Sequence, residues 1–519
     1  MIYYYFCLVV IFLFLFLFVY QIKNDIKKQK SILYIISYCL LLTFLFKYNY
    51  NIAFWGLEYE DAYSFSFCAR QFSYGIYPSS FLIDAIAIGS LDNPFSSFTY
   101  GGHFITYSTF LSIFTQILGW SPQLISIINT LIAFCVILIL AIFKEDNKWW
   151  FVAPTIYCAA PIMNVFTTCF LSEIFSSFIC IVFIYSYCKP KTHISTYLCF
   201  ISFGLALLCK RENLSLLFIP IIDFIISTCK LKTKEEFFFQ IKRTIPYLII
   251  ICIYIFGFQN IFMIEHVESK DIGEATFSLN NFIRLFPVFI TSLLSINTFS
   301  LVFYAYICYL LYCYKTNKNL LRKTVLIPIT LFSLYILLYS SHYRGYFFIK
   351  EEKISHFETY RYINNFFYCI PLIFTNFSIN NLKKTQTIYV LILFVLLFSF
   401  VKTIELRKYY SEVEQKERFE QVNIVSNFIT KSDKPSMLIC ENILLYQNLC
   451  NSNFSVCSIV LFDKINLNNE NINYYCILSD LKYLKERYNI NINTQLFRPI
   501  LKLPDGNYLY IYDTSFAPI

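Results

Sequence analysis

Apolar runs of about 16–22 residues recur along the chain, each long enough to cross a hydrocarbon core about 30 Å thick as a helix. They fall at roughly 2–20, 32–49, 121–143, 149–164, 171–188, 194–209, 212–228, 244–262, 298–314, 324–340, 363–380 and 386–401. The pattern predicts an α-helical polytopic membrane protein with about 12 transmembrane helices. Two stretches break it. Residues 50–120 are too polar and irregular to be spans, but contain "HFITYSTFLSIFTQILGW", an amphipathic stretch expected to lie as a helix in the membrane interface. "NFIRLFPVFITSLLSI" (281–296) is a second such stretch, broken at Pro287. After about residue 402 the period changes. A charged, helix-periodic segment leads into short alternating runs, "SMLICEN", "FSVCSIV", "NYYCILSD" and "NYLYIYD", with a helical "LKYLKERYN" before the last. The expected organisation is a transmembrane domain over 1–401, with a large loop at 50–120, and a small α/β domain over 402–519.

Composition fits this picture. Hydrophobic residues make up 57% of the 519 and charged residues 14%, whereas a soluble domain carries about a quarter charged residues. The net charge of +9 would suggest nucleic acid in a soluble protein. Here the basic clusters, at 22–30, 144–148, 188–193, 230–243, 314–323 and 381–384, separate successive spans. Placing all of them in the cytoplasm satisfies the positive-inside rule, so the charge is topological and implies no nucleic-acid partner. The lysines follow the first apolar run and do not precede it. That predicts a retained first span with its N-terminus outside, not a cleaved leader. The segments 50–120, 164–171, 209–212, 263–297 and 341–362 then face outward together with the C-terminal domain. Most of the 19 cysteines lie inside apolar runs, where they act as small hydrophobes. Cys440, Cys450, Cys457 and Cys476 lie in the outer domain, where they are either buried thiols or disulfide partners.

The charges on the outer face are the candidate chemistry. "GLEYEDAYSFSFCAR" gathers Glu58, Glu60 and Asp61 just past the second span, with Arg70 beyond. His103 begins the amphipathic stretch. Glu173 starts a span, Lys210, Arg211 and Glu212 occupy an outer turn, and His342, Arg344, His356, Glu358 and Arg361 lie in another outer loop. Ionisable groups at membrane depth are costly and mark functional sites. Such a set suits sugar transfer from a lipid phosphate: a carboxylate deprotonates an acceptor hydroxyl, and Lys and Arg hold the phosphate of the leaving lipid. Plainer roles are open to each residue. Glu173 can simply complement its helix dipole, Lys210 can anchor a span at the interface, and the histidines can be structural. No His, Cys and carboxylate spacing proposes a metal.

The arrangement resembles the GT-C polytopic glycosyltransferases, in particular the branch of protein O-mannosyltransferases and lipid A aminoarabinose transferases. "EDAYSFSFCAR" (60–70) is similar to that branch's acidic motif, with the order of the acids reversed. "GGHFITYSTFLSIFTQILGWSP" follows its outline of an amphipathic helix and a glycine turn, with His103 in the leading position and the usual prolines absent. Glu173 takes the place of a second outer acid. "FGLALLCKREN" puts Lys210 at the family lysine, and "ETYRYINNFFYCIP" puts Arg361 and Tyr362 at a late motif. The resemblance implies inverting transfer from a polyprenyl-phosphate sugar to an acceptor that is a protein, lipid or glycan, in the bacterial inner membrane with the site facing the periplasm. Asp61 or Glu60 would be the base, while Arg70, His103, Glu173, Lys210, Arg361 and Tyr362 would bind donor or substrate. It implies no cofactor and leaves a divalent metal open. The rival classes are a lipid-linked sugar flippase or transporter, a surface-polysaccharide polymerase or ligase, and a noncatalytic membrane scaffold whose outer domain binds a partner. A flippase would place its charges nearer the bilayer midplane, in broken helices.

Overall fold

A computed structural model describes residues 1–48, 82–88, 97–119, 121–145, 147–167, 172–189, 192–229, 233–257, 300–316, 369–375, 382–409, 416–429, 434–440, 454–458, 471–478, 496–504 and 506–512, with isolated positions between them. In chain order the helices are α1 (Ile2–Ile26), α2 (Ile32–Leu42), α3 (Thr106–Leu118), α4 (Pro122–Ile142), α5 (Val152–Cys158), α6 (Pro161–Phe166), α7 (Glu173–Cys188), α8 (His193–Cys209), α9 (Phe218–Thr228), α10 (Lys234–Cys252), α11 (Ser300–Thr316), α12 (Leu382–Tyr409) and α13 (Lys416–Ile429). The strands are β1 (Leu82–Ile88), β2 (Ser97–Phe104), β3 (Ser436–Cys440), β4 (Phe454–Ser458), β5 (Asn473–Leu478), β6 (Phe497–Lys502) and β7 (Tyr508–Tyr512). Among the described residues, four helices are long and apolar enough to cross a membrane: Ile2–Ile26, Gln123–Ile142, Glu235–Phe256 and Gln386–Lys408. Contacts divide the chain into two units, one of Tyr5–Tyr50 and Ile125–Leu406, the other of Met1–Tyr4, Asn51–Leu124 and Arg407–Ile519.

In the first unit α7 is the central helix, buried from Glu173 to Tyr187. Phe14 and Phe18 of α1 meet Phe178 edge-on, with ring centroids 5.7 and 5.1 Å apart. On another side Phe183 meets Phe203 of α8 at 5.5 Å, and Tyr247 of α10 closes the cluster against Phe203 at 5.4 Å. The run expected as one span at 149–164 is two short helices, broken at Pro161. Proline has no N–H to continue the ladder and crowds the preceding turn. The carbonyls exposed by the break need other donors at membrane depth. Asn164 Nδ2 donates to the Cys158 carbonyl at 2.9 Å, and Ser399 of α12 donates to that of Ala159 at 2.9 Å. The run at 212–228 likewise starts as a 3₁₀ segment, Arg211–Leu217, before α9. Residues 324–340 lie outside the described residues.

In the second unit the expected helix forms as α3 and ends at Gly119, whose φ of +78° turns the chain where a side chain would be strained. Its hydroxyl face is buried against the 65–72 segment and is not left to water. Ser108 donates to the carbonyl of Phe65 at 2.9 Å, Thr115 to that of Ala69 at 3.4 Å, and Gln116 to that of Phe72 at 3.1 Å. Tyr4 supports the same face through Ser112 (3.0 Å) and Gln116 (3.1 Å). His103, expected to begin this helix, lies instead in strand β2, paired with Ile83 of β1 in an antiparallel hairpin. That hairpin was not visible in the hydrophobic pattern.

Toward the C-terminus, β3–β7 form one five-stranded sheet in the order β4-β3-β5-β7-β6, with β4 and β5 parallel to β3 and the remaining pairs antiparallel. β3 is buried along its whole length, as a central parallel strand should be. Strand β6, which is not among the strands expected from the sequence, contains Pro499. Proline is tolerated there because β6 is the sheet edge. Ile439 pairs with both Cys457 and Cys476, which places those thiols two strand spacings apart, about 9.6 Å, too far for a disulfide. Burial pushes the Cys476 thiol well up, so it stays protonated. Cys450, the helical segment "LKYLKERYN" and all but Ile283 of 281–296 lie outside the described residues.

Candidate functional site

Of the sequence-derived candidates, the structure brings Glu173 and Lys210 together. Glu173 is the first residue of α7 and is 1% exposed. Lys210 caps the C-terminus of α8 with extended backbone, and its N–H bonds the Ala206 carbonyl at 3.1 Å. The two helices are antiparallel neighbours, so the positive end of one dipole meets the carboxylate and the negative end of the other meets the ammonium. Lys210 Nζ donates to Glu173 Oε1 at 2.9 Å. The lysine side chain keeps 15% of its surface exposed and the glutamate 2%, so the lysine is the more accessible member of the pair.

Asn213 fixes this geometry. It is fully buried in the 3₁₀ segment after Lys210. Its amide donates to Ser176 Oγ of α7 at 2.8 Å and to the Ala206 carbonyl of α8 at 2.7 Å, and its carbonyl accepts from Cys180 Sγ at 3.4 Å. One side chain thus ties the Lys210 turn to both helices. In the sequence the "CKREN" turn stands out for its charges, whereas this amide carries no signal of its own.

Lys47 was also missed. It ends a π-helical turn, Thr43–Lys47, and is 0% exposed. Its ammonium lies 4.1 Å from the centroid of the Tyr157 ring, and its carbonyl accepts from Thr130 at 3.5 Å. A desolvated cation–π contact is worth about 2 kcal/mol, which only partly offsets burying a charge. π-turns recur at functional sites. The signal was present in "LLTFLFKYNY": a lone lysine inside an apolar run, at the end where the basic clusters are absent.

The opposite end of α7 is polar for another reason. Asp25 of α1 is 3% exposed. It accepts from the Tyr185 hydroxyl and from Gln21 Nε2 at 2.8 Å. Lys189 and Lys28 approach it at 3.4 and 3.8 Å. Two residues further along α7, the Tyr187 hydroxyl donates to Asp223 at 2.5 Å, and Asp223 pairs with Arg243 at 2.9 Å. Asp25, Lys28, Lys189 and Arg243 come from the basic segments 22–30, 188–193 and 230–243, which the positive-inside rule placed on one face. They do gather at one end.

Glu60, Asp61, Arg70, Arg361 and Tyr362 lie outside the described residues, as do Glu58, His342, Arg344, His356 and Glu358. Ala69 and Phe72, on either side of Arg70, have their carbonyls held by α3. His103 has only its backbone place, in β2. Among the described residues no group of three or more His, Cys, Asp and Glu side chains is gathered for a metal.

No family model and no curated protein matches the sequence. Among solved structures, the chain is similar to ArnT from Cupriavidus metallidurans bound to undecaprenyl phosphate. The identity is 11% and the TM-score 0.50, over 94% of this chain and 99% of that one. The apo form of the same protein gives 10% identity and a TM-score of 0.49, covering 94% and 99%. An Archaeoglobus fulgidus oligosaccharyltransferase tethered with an acceptor peptide gives 10% and 0.48, covering 94% of this chain and 75% of that one. The likeness to undecaprenyl-phosphate-bound ArnT is one of fold: the chain is similar to that structure in its mostly helical fold.

Proposed function

We propose that the protein is a membrane glycosyltransferase that moves a sugar from a polyprenyl-phosphate-linked donor to an acceptor at the outer membrane face, inverting the anomeric centre. The observation that carries this reading is the Glu173–Lys210 pair. A largely buried ammonium is held by a carboxylate at the junction of two helices, in a fold like that of ArnT, whose structure holds undecaprenyl phosphate. A fold supports many functions; the buried carboxylate and its ammonium favour sugar transfer, and the shared fold is their setting.

In this mechanism the acceptor hydroxyl gives its proton to Asp61 or Glu60, and its oxygen attacks the anomeric carbon from the face opposite the phosphate. The bond from that carbon to the phosphate oxygen breaks, and the electron pair leaves with the lipid phosphate. Lys210, with Arg361 and Arg70, offsets the charge that grows on the phosphate. Glu173 holds the Lys210 ammonium at a fixed height, which saves the cost of ordering it during reaction. Tyr362 and His103 complete the donor site. The enzyme sits in a bacterial inner membrane, with this end of the helices toward the periplasm and the lysine-rich end in the cytoplasm.

The test is release of free lipid phosphate from a polyprenyl-phosphate sugar by purified protein supplied with a cell-envelope extract. The wild type is run beside the Asp61→Asn/Glu60→Gln double variant. Loss of a general base lowers the rate by about 100- to 10,000-fold with donor binding retained. Full release by the double variant would overturn the assignment of the base. Donor binding without release in the wild type would favour a flippase.

A further inference from the structure

At the lysine-rich end of α7, Asp25, Lys28, Gln29, Glu145, Lys189 and Thr192 line a cavity of about 100 Å³. It draws on three separate segments: the last turn of α1 and the residues after it, the turn after α4, and the α7–α8 connection. The transferase chemistry proposed above uses none of them. Its position follows from helix length. The apolar run of α1 ends near Tyr20, and Asp25 lies five residues further on, about 7.5 Å along the axis, beyond the hydrocarbon and at headgroup depth. Phe12, Phe16, Val19 and Tyr20 are exposed on α1, where acyl chains would cover them.

The lining carries both signs of charge. Lys28 and Lys189 supply two ammonium groups, and Thr192 is the N-cap of α8, so the positive end of that helix dipole borders the space. Asp25 and Glu145 supply two carboxylates. The formal charges cancel, so an anion gains little from the site as a whole. A ligand bearing both a phosphate and an ammonium matches both halves. Asp25 is already bonded to Tyr185 and Gln21 and anchors the lysines. Glu145 is exposed at the rim and is the carboxylate available to a ligand.

We propose that this cavity binds the headgroup of a zwitterionic aminophospholipid, the phosphate toward Lys28, Lys189 and the α8 N-terminus and the primary ammonium toward Glu145. The site is independent of the transferase reading and needs only that the helices lie in a membrane.

The experiment is native mass spectrometry of the full-length protein, exchanged into equal amounts of phosphatidylethanolamine, phosphatidylcholine and phosphatidylglycerol. The wild type should retain phosphatidylethanolamine in preference to both others. Lys28→Ala and Glu145→Gln, both at exposed side chains, should each lower that retention by about fivefold with unchanged melting temperature. Retention of phosphatidylglycerol above phosphatidylethanolamine would overturn the proposal, as would equal retention of phosphatidylcholine, whose methylated ammonium cannot donate hydrogen bonds. Variants that retain the lipid like wild type would also overturn it. If soluble glycerophosphoethanolamine binds as tightly as the diacyl lipid, the membrane origin of the ligand is refuted.

Discussion

The two ends of α7, about 22 Å apart, both bury carboxylates, and they do so differently. At the Lys189 end each acid is bound by a phenol and by a cation: Asp25 by Tyr185 and Lys189, Asp223 by Tyr187 and Arg243. The phenols project from α7 itself, so these acids lock neighbouring helices onto it. At the Glu173 end the carboxylate and the ammonium sit on the ends of the opposed dipoles of α7 and α8. A buried charge is therefore not by itself a sign of function. What separates the two ends is how the charge is held: by phenols of α7 that bind acids of neighbouring helices at one end, and by opposed helix termini at the other.

The widest separation between the ends should appear in charge-removal cycles. Glu173→Gln leaves the Lys210 ammonium beside a neutral amide, and Asp223→Asn does the same to Arg243. Removing one partner of a buried pair costs about 3–5 kcal/mol, so both variants should melt lower in detergent. The double variants Glu173→Gln/Lys210→Met and Asp223→Asn/Arg243→Leu remove both charges, and their melting temperatures should return toward wild type. The proposed sugar transfer should return only in the second double variant. If it also returns in the first, the Glu173–Lys210 pair is a lock like the other and the comparison collapses.

Lys47 sharpens the contrast from the stability side. Lys47→Met keeps the volume and removes the ammonium over Tyr157. A charge kept only as packing would be neutral or better when replaced this way, and the melting temperature should hold or rise. Transfer should fall about tenfold, the factor for roughly 1.4 kcal/mol of lost transition-state stabilisation. Unchanged transfer would return Lys47 to the structural class.

The residues that were legible in the sequence share one property: their signal is local. Apolar runs gave the helices, and Glu173 and Lys210 stood out as charges at span ends. Their pairing did not, because it depends on α7 and α8 being antiparallel neighbours. The break at Pro161 was obscured because the flanking residues are uniformly apolar, so hydropathy runs through it. The β1–β2 hairpin and the edge strand β6 were missed for the opposite reason: sheet pairing is a long-range event, and Pro499 argues against a strand until the edge position is known. Asn213 was missed because a buried amide is recognisable only through its partners on α7 and α8.

Asn213 and Tyr185 give the finest test, since both are neutral side chains that tie α7 to something else. Tyr185→Phe removes one hydroxyl from a carboxylate that keeps Gln21 and Lys189. A hydrogen bond to a charged group is worth about 1.5–3 kcal/mol, and the loss should appear in melting temperature alone. Asn213→Ala strips Ser176 and the Ala206 carbonyl of a shared donor, at about 1–3 kcal/mol, so the two variants should melt alike. They should differ in kinetics. Freeing the Lys210 turn lets the ammonium wander, so Asn213→Ala should lower kcat more than it raises the KM for donor, because a misplaced cation fails most where charge is growing on the phosphate. Asn213→Asp, which keeps the size but offers no N–H, should behave like the alanine variant. Equal kinetics for Tyr185→Phe and Asn213→Ala would mean that the ends of α7 differ in composition but not in role.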